Sequence, residues 1–332
     1  MNQGMGHTAR RRVPNKLPGP RWNAEGHALR IALIVGFAAT AFVAQYYHFR
    51  PSNWSDLDQL WLGGRALLAG GNPYIAVRQS FPWPLYYPLP ALLVTLPLAV
   101  LPLPVARAAF AGLTAGLVGW ALAHHRPHAL LLLLTGPFLY ALYRGQWSPV
   151  ILAACFIPTL GAVIAVKPTV GLGAWLYRPS RMALVGAVTL TLISLVLLPR
   201  WPFFWLASLR GMRHFRSPIL LPWGFVLALT ALRWRRPEAR LLGWLTVVPQ
   251  TIVPYELVPL AVVPRTLRES LVVGLGWNLA YLFRVTLNPV PLSSYAAAGE
   301  HYFPINWWAE IAFGYLPVML LILRRPNTPE SP

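Results

Sequence analysis

The feature that most limits how this chain can fold is a succession of apolar runs, recurring from end to end and broken by proline and arginine. Leu29–Tyr47, Ala106–Ala123, Met182–Leu198 and Trp307–Leu323 are the clearest. A helix needs roughly 17–25 apolar residues to cross a bilayer. Backbone in hydrocarbon must bond to itself, which separate runs of this length achieve as helices. Shorter or interrupted runs follow Tyr86-Tyr87-Pro88-Leu89-Pro90 up to Leu103, and fill Ala129–Tyr143, Ser148–Val166, Thr169–Tyr177, Pro218–Leu232, Leu241–Pro264 and Leu271–Val285. The expectation is an all-α, polytopic membrane protein with about ten transmembrane helices. The 34 prolines suit that class, where they mark helix ends, kinks and re-entrant pieces.

Charge points the same way. Only 11% of residues are charged, against about 25% in a soluble domain. The formal net charge is +19, but the arginines sit in the N-terminal tail and in short connectors. That is the pattern of cytoplasmic connectors facing anionic membrane lipids, not of a nucleic-acid partner. The single Cys155 lies in an apolar run and excludes a disulfide framework. The first apolar run begins about thirty residues in, with no small-residue cleavage site behind it, so it does not read as a signal peptide.

Residues 1–28 read as a disordered, basic cytoplasmic tail, 29–325 as one polytopic domain and 326–332 as a short C-terminal tail. A cytoplasmic N-terminus in the cell (inner) membrane places residues 48–86, the first loop, on the outer face.

That loop holds Asp56 and Asp58, the only aspartates; the other acids are seven scattered glutamates. Ser55 is a plausible N-cap for a short amphipathic helix, and Gly70-Gly71-Asn72-Pro73 ends it. Leu57, Leu60, Trp61, Ala66, Leu67 and Leu68 fall mostly on one side, with Asp56, Gln59 and Gly63 elsewhere, as for a helix lying at a membrane surface.

Ionisable groups at membrane depth are costly and point to function. Lys167, the only lysine beyond the tail, stands where an apolar run meets Pro168. Glu256 interrupts another run, and Arg210, Arg213, His214 and Arg216 form a basic cluster. Plainer roles exist: Asp56 as a helix cap, Lys167 snorkelling, Glu256 paired with an arginine, Gln146 bonding a helix end, Arg65 at an interface, Tyr74 packing a helix end. His124, His125 and His128 share a connector with no carboxylate nearby, which does not make a metal site.

One carboxylate with several cations suits glycosyl transfer from a lipid-phosphate sugar. The acceptor hydroxyl needs a base, while the leaving phosphate needs cations rather than a second acid. No cofactor or metal is required, since lysine and arginine can neutralise one phosphate.

The run Asp56…Trp61…Arg65-Ala66-Leu67-Leu68…Gly70-Gly71-Asn72-Pro73-Tyr74 resembles the first-loop signature of glycosyltransferase family 87. Tyr87-Pro88-Leu89 with Leu101-Pro102, then Gly145-Gln146, Lys167-Pro168 and Tyr255-Glu256, are similar to later motifs of that family and fall in its order. The last has Glu where the family carries Asp or His. The resemblance implies a GT-C fold and an inverting transfer of a hexose, mannose in that family, from a polyprenyl-phosphate donor to a lipid-linked or glycolipid acceptor. By motif position Asp56 would be the general base, with Asp58 as second choice. Lys167 and the Arg210, Arg213 and Arg216 cluster would hold phosphate; Gln146, Glu256, Arg65 and Tyr74 would line the substrate site. Two other classes stay open: a transporter or lipid-binding membrane protein, and a degenerate family member acting as a structural partner.

Overall fold

The computed structural model describes residues 22–210, 215–251, 254–286 and 307–328. The described residues are all-α apart from one antiparallel pairing of two-residue strands, Phe215–Arg216 with Gln250–Thr251. The expected tail at 1–21 and Arg213 with His214 lie outside the described residues, as do residues 329–332.

Two helices frame the molecule. Helix α1 spans Trp22–Phe49, so residues 22–28, which the sequence assigns to the tail, belong to it. Helix α5 spans Leu103–His125. They pack antiparallel through glycines: a Cβ on Gly112 would lie 3.0 Å from the Gly36 carbonyl oxygen, and one on Gly116 3.2 Å from that of Ala32. Small residues at these positions let two backbones approach. At the far end Arg107 stacks on Tyr47, 3.8 Å from the ring centroid. The 124–128 connector therefore shares an end with the start of α1, opposite the first loop.

The first loop is itself helical. Helix α2 covers Asp56–Leu68 with Ser55 as N-cap, and α3 covers Pro73–Ser80, capped by the Asn72 side chain. The buried face of α2 is Leu57, Asp58, Gln59, Leu60, Gly63 and Gly64. Gln59 and Gly63 thus point inward and Leu68 outward, the reverse of the apolar count. Gly63 and Gly64 explain the shift: a Cβ there would meet Leu92 at 2.9 Å and Ala99 at 2.8 Å, so α4, Leu89–Ala99, packs directly on their backbone. The run expected to cross before Leu103 forms a helix too short to cross alone. At 1.5 Å per residue the 11-residue α4 is about 16 Å long, and it returns to α2, where Trp61 Nε1 donates to the Leu101 carbonyl at 2.9 Å.

Beyond α5 the helices are short and broken at prolines: α6 Gly136–Tyr143, α7 Ser148–Ala154, α8 Val163–Val166, α9 Pro168–Tyr177. Proline at a first helical position is tolerated, whereas within a helix it removes a hydrogen bond and clashes, which keeps each piece short. Runs of 3-10 helix at Pro127–Leu134, Pro158–Ala162, Gly224–Arg233 and Pro254–Val262 fill the gaps. Helix α10, Arg181–Leu197, turns by 102° into α11, Trp201–Leu209. Helix α11 packs under the first loop, where Trp205 Nε1 donates to the Tyr86 carbonyl at 2.9 Å. Helices α12, Pro237–Val247, α13, Leu267–Thr286, and α14, Trp307–Leu323, complete the bundle.

Among the described residues, two helices, Glu25–Phe49 and Leu103–His125, are long and apolar enough to cross a membrane, and the bent α10–α11 pair raises this to three. That is fewer than the ten expected: the proline-cut pieces fall below spanning length one by one, and α13, though 20 residues long, is not apolar enough. The outer surfaces remain strongly apolar: Phe37, Val185, Val188 and Val196 are all more than half exposed. Large exposed apolar surface of this kind is what lipid covers. The arginine-rich end is tied by Glu238, which accepts from Arg265 at 3.0 Å and Arg325 at 3.3 Å, with Arg236 at 3.5 Å.

Candidate active site

The candidate site lies where α2 starts, at the corner joining α6 to α7. The corner is Arg144-Gly145-Gln146-Trp147. Gly145 adopts φ +64°, and a Cβ there would lie 2.8 Å from Leu57 Cβ, so only glycine lets the corner press against the first turn of α2. The contact is sealed by the Asp56 amide donating to the Arg144 carbonyl at 2.9 Å.

The two aspartates have different surroundings. Asp58 is buried and saturated: it accepts from Arg107 Nε at 2.8 Å and Nη2 at 2.6 Å, from the Ser55 amide at 2.9 Å and from the Ser55 hydroxyl at 2.6 Å. It closes the helix cap and, 1% exposed, has no open side toward a substrate. Asp56 is the open one, with 21% of its side chain exposed. Its Oδ2 accepts a short hydrogen bond from Gln146 Nε2 and one of 3.3 Å from the Tyr87 hydroxyl. Its Oδ1 lies 3.7 Å from Arg144 Nη2.

Two residues along the corner, the Ser148 hydroxyl donates to Glu256 Oε2 at 3.4 Å, and Lys167 Nζ bonds Glu256 Oε1 at 2.8 Å. Residues 146–148 thus touch both carboxylates. Tyr87 lies in the field of both. Burial first, then Asp56, Tyr255 and Glu256, push its hydroxyl far above the usual phenol range. It therefore stays a neutral donor. Tyr86 is pushed up to about 12 by burial and then by Asp56.

Of the predicted residues, Asp56, Gln146, Lys167 and Glu256 come together here. Tyr74 stands behind them: buried, it donates its hydroxyl to the Tyr87 carbonyl at 3.2 Å and so positions Tyr87. Arg65 is exposed, stacked 4.9 Å over Trp61, and two and a half helical turns from Asp56. Arg210 is exposed at the end of α11, on the first-loop end of the bundle, and Arg216 is in the two-residue strand.

Arg144, Ser148 and Arg107 were not singled out from the sequence, and Tyr87 entered only as the first residue of a motif, with no site role. Arg107 carries the one legible signal, a lone cation at the start of an apolar run. Arg144 and Ser148 are ordinary polar residues flanking Gly145-Gln146, placed by tertiary packing alone.

Together the fold and the site describe an all-α helical bundle with the apolar exterior of a membrane protein and a carboxylate–cation cluster beneath its first loop. Compared with known proteins, the chain matches no family model, no curated protein and no solved structure.

Proposed function

We propose that this protein is a polytopic membrane glycosyltransferase of GT-C type. It moves a hexose, mannose by the resemblance to family 87, from a polyprenyl-phosphate donor to a lipid-linked or glycolipid acceptor on the outer face of the cell membrane. The observation that carries this reading is the Asp56 carboxylate, partly open and held by Gln146 and Tyr87, with Lys167 and Glu256 on the same corner.

Asp56 takes the proton from the acceptor hydroxyl as its oxygen attacks the anomeric carbon. The carbon–oxygen bond to phosphate breaks, and configuration inverts because attack comes opposite the leaving group. The departing phosphate needs no proton. Its negative charge is met by Lys167, and Arg144 adds positive potential beside the site. Gln146 and Tyr87 fix one oxygen of Asp56 and leave Oδ1 to face the substrate. Arg210, on the same end as the first loop, suits a place near lipid headgroups. On this reading further passes beyond α1 and α5 would draw on the shorter, proline-bounded helices, whose broken backbone is tolerated only where protein covers it.

The test is transfer by the purified full-length protein, in lipid, from labelled polyprenyl-phosphate mannose to a panel of membrane lipids. A labelled lipid product supports the proposal. No transfer combined with no donor binding contradicts it.

A further inference from the structure

The two buried ion pairs of the first-loop end are built differently. Asp58 has four hydrogen bonds from Arg107 and Ser55. Glu256 has one short bond, to Lys167 at 2.8 Å, and one long one, from Ser148 at 3.4 Å. Its side chain is 3% exposed, whereas that of Lys167 is 15% exposed and reaches the more open side of the pair. Asp58–Arg107 is a permanent brace. Lys167–Glu256 can open, provided Glu256 is compensated.

That proviso sets a chemical condition on any ligand. An anion that draws Lys167 away leaves a buried carboxylate holding only one long hydrogen bond. Stripping a buried charge of its partner is strongly unfavourable. The ligand must therefore bring donors for Glu256 together with negative charge for Lys167. A bare lipid phosphate brings charge and no donors to spare. A lipid glycosyl phosphate brings a phosphodiester for Lys167 and sugar hydroxyls for Glu256.

Resting on the glycosyltransferase reading above, we infer that the Lys167–Glu256 pair selects a lipid glycosyl phosphate over the same lipid bearing phosphate alone. Glu256 occupies Lys167 in the empty site, yields it only to a ligand that carries the sugar, and takes it back once the sugar has gone. The device favours release of the spent carrier. Without it a phosphate monoester, which carries about −1.5 to −2 charges near neutral pH, would hold Lys167 more tightly than the diester donor.

The experiment measures equilibrium binding of polyprenyl phosphate and of polyprenyl-phosphate mannose to the full-length protein in lipid nanodiscs. Wild type is compared with Glu256→Gln, Glu256→Asp and Lys167→Met. Wild type is expected to bind the glycosyl form at least about tenfold more tightly. Glu256→Gln should tighten bare-phosphate binding about tenfold and erase the preference. Glu256→Asp, shorter by one methylene, should do so in part, and serves if the glutamine variant does not fold. Lys167→Met should weaken both ligands. An unchanged preference in both Glu256 variants overturns the inference while leaving the glycosyltransferase reading intact. A wild type that binds neither lipid overturns both.

Discussion

Asp56 and Arg144 are joined twice: the Asp56 amide donates to the Arg144 carbonyl at 2.9 Å, and the Arg144 guanidinium stands 3.7 Å from the Asp56 carboxylate. One contact fixes where α2 starts and the other sets the charge facing its first residue. The site is therefore a property of the α6–α7 corner as much as of the first loop.

Gly145 makes that corner possible. Gly145→Ala places a non-glycine residue at φ +64° and a methyl 2.8 Å from Leu57 Cβ. The left-handed conformation alone costs about 1–2 kcal/mol. The substitution should lower the melting temperature and also cut transfer severely, because Gln146 is pulled off Asp56. Gly70→Ala is the control. Gly70 has φ +76° with nothing within 4 Å of a Cβ, so it should lose stability and keep transfer.

Asp58 and Arg107 should be structural partners. Removing either, by Asp58→Asn or Arg107→Leu, leaves a buried charge without its partner, an effect of about 3–5 kcal/mol. Thermal unfolding in detergent should show both single losses. The double variant should cost clearly less than their sum, since the two residues touch. Additive losses would contradict the pairing.

At the other end, Glu238 links stability to pH. Burial raises its carboxyl, but a backbone hydrogen bond, Arg236 and Arg265 more than offset this and hold it below the usual range. A folded-state value below the unfolded one means stabilisation fully present above the unfolded glutamate value of about 4.3, lost as pH falls through the folded value. Melting temperature should therefore drop on acidification below about pH 4. Glu238→Gln should be less stable at neutral pH and lose part of that acid dependence.

The Trp205–Tyr86 hydrogen bond puts α11 on the first-loop end. With Cys155 replaced, single cysteines in place of Arg65 and Arg210 should label from one face of the membrane, and one in place of Arg235 from the other. Labelling of the Arg65 and Arg210 positions from opposite faces would break this arrangement and the mechanism with it.

Much of this was legible in the sequence where the signal is local. Ser55 and Gly70–Pro73 bracket α2, Pro158 interrupts the run before Lys167, and α14 occupies Trp307–Leu323 as its apolar run predicts. The pairings were not legible. Arg107 meets Asp58 across 49 residues, and Gln146 meets Asp56 across 90. No periodicity encodes either. The inward turn of Gln59 and the return of α4 also escape a hydropathy count, because glycines at 63 and 64 make a close backbone contact rather than an apolar one. The span count differs for a related reason: an apolar run has a length, but proline decides how much of it stays one helix.

The central claim is that Asp56, and not Asp58, is the base. The most direct measurement is sugar transfer from labelled polyprenyl-phosphate mannose by wild type and Asp56→Asn, with donor binding measured alongside. Asparagine is nearly the same size and keeps an acceptor for Gln146 and Tyr87, so the site should persist around a group that no longer takes a proton. The expected result is transfer reduced by about a thousandfold with donor binding retained, the middle on a logarithmic scale of the 10²–10⁴-fold range typical of a general base. Transfer by Asp56→Asn at the wild-type rate would contradict the assignment and move the base elsewhere, with Glu256 the next carboxylate on the same corner.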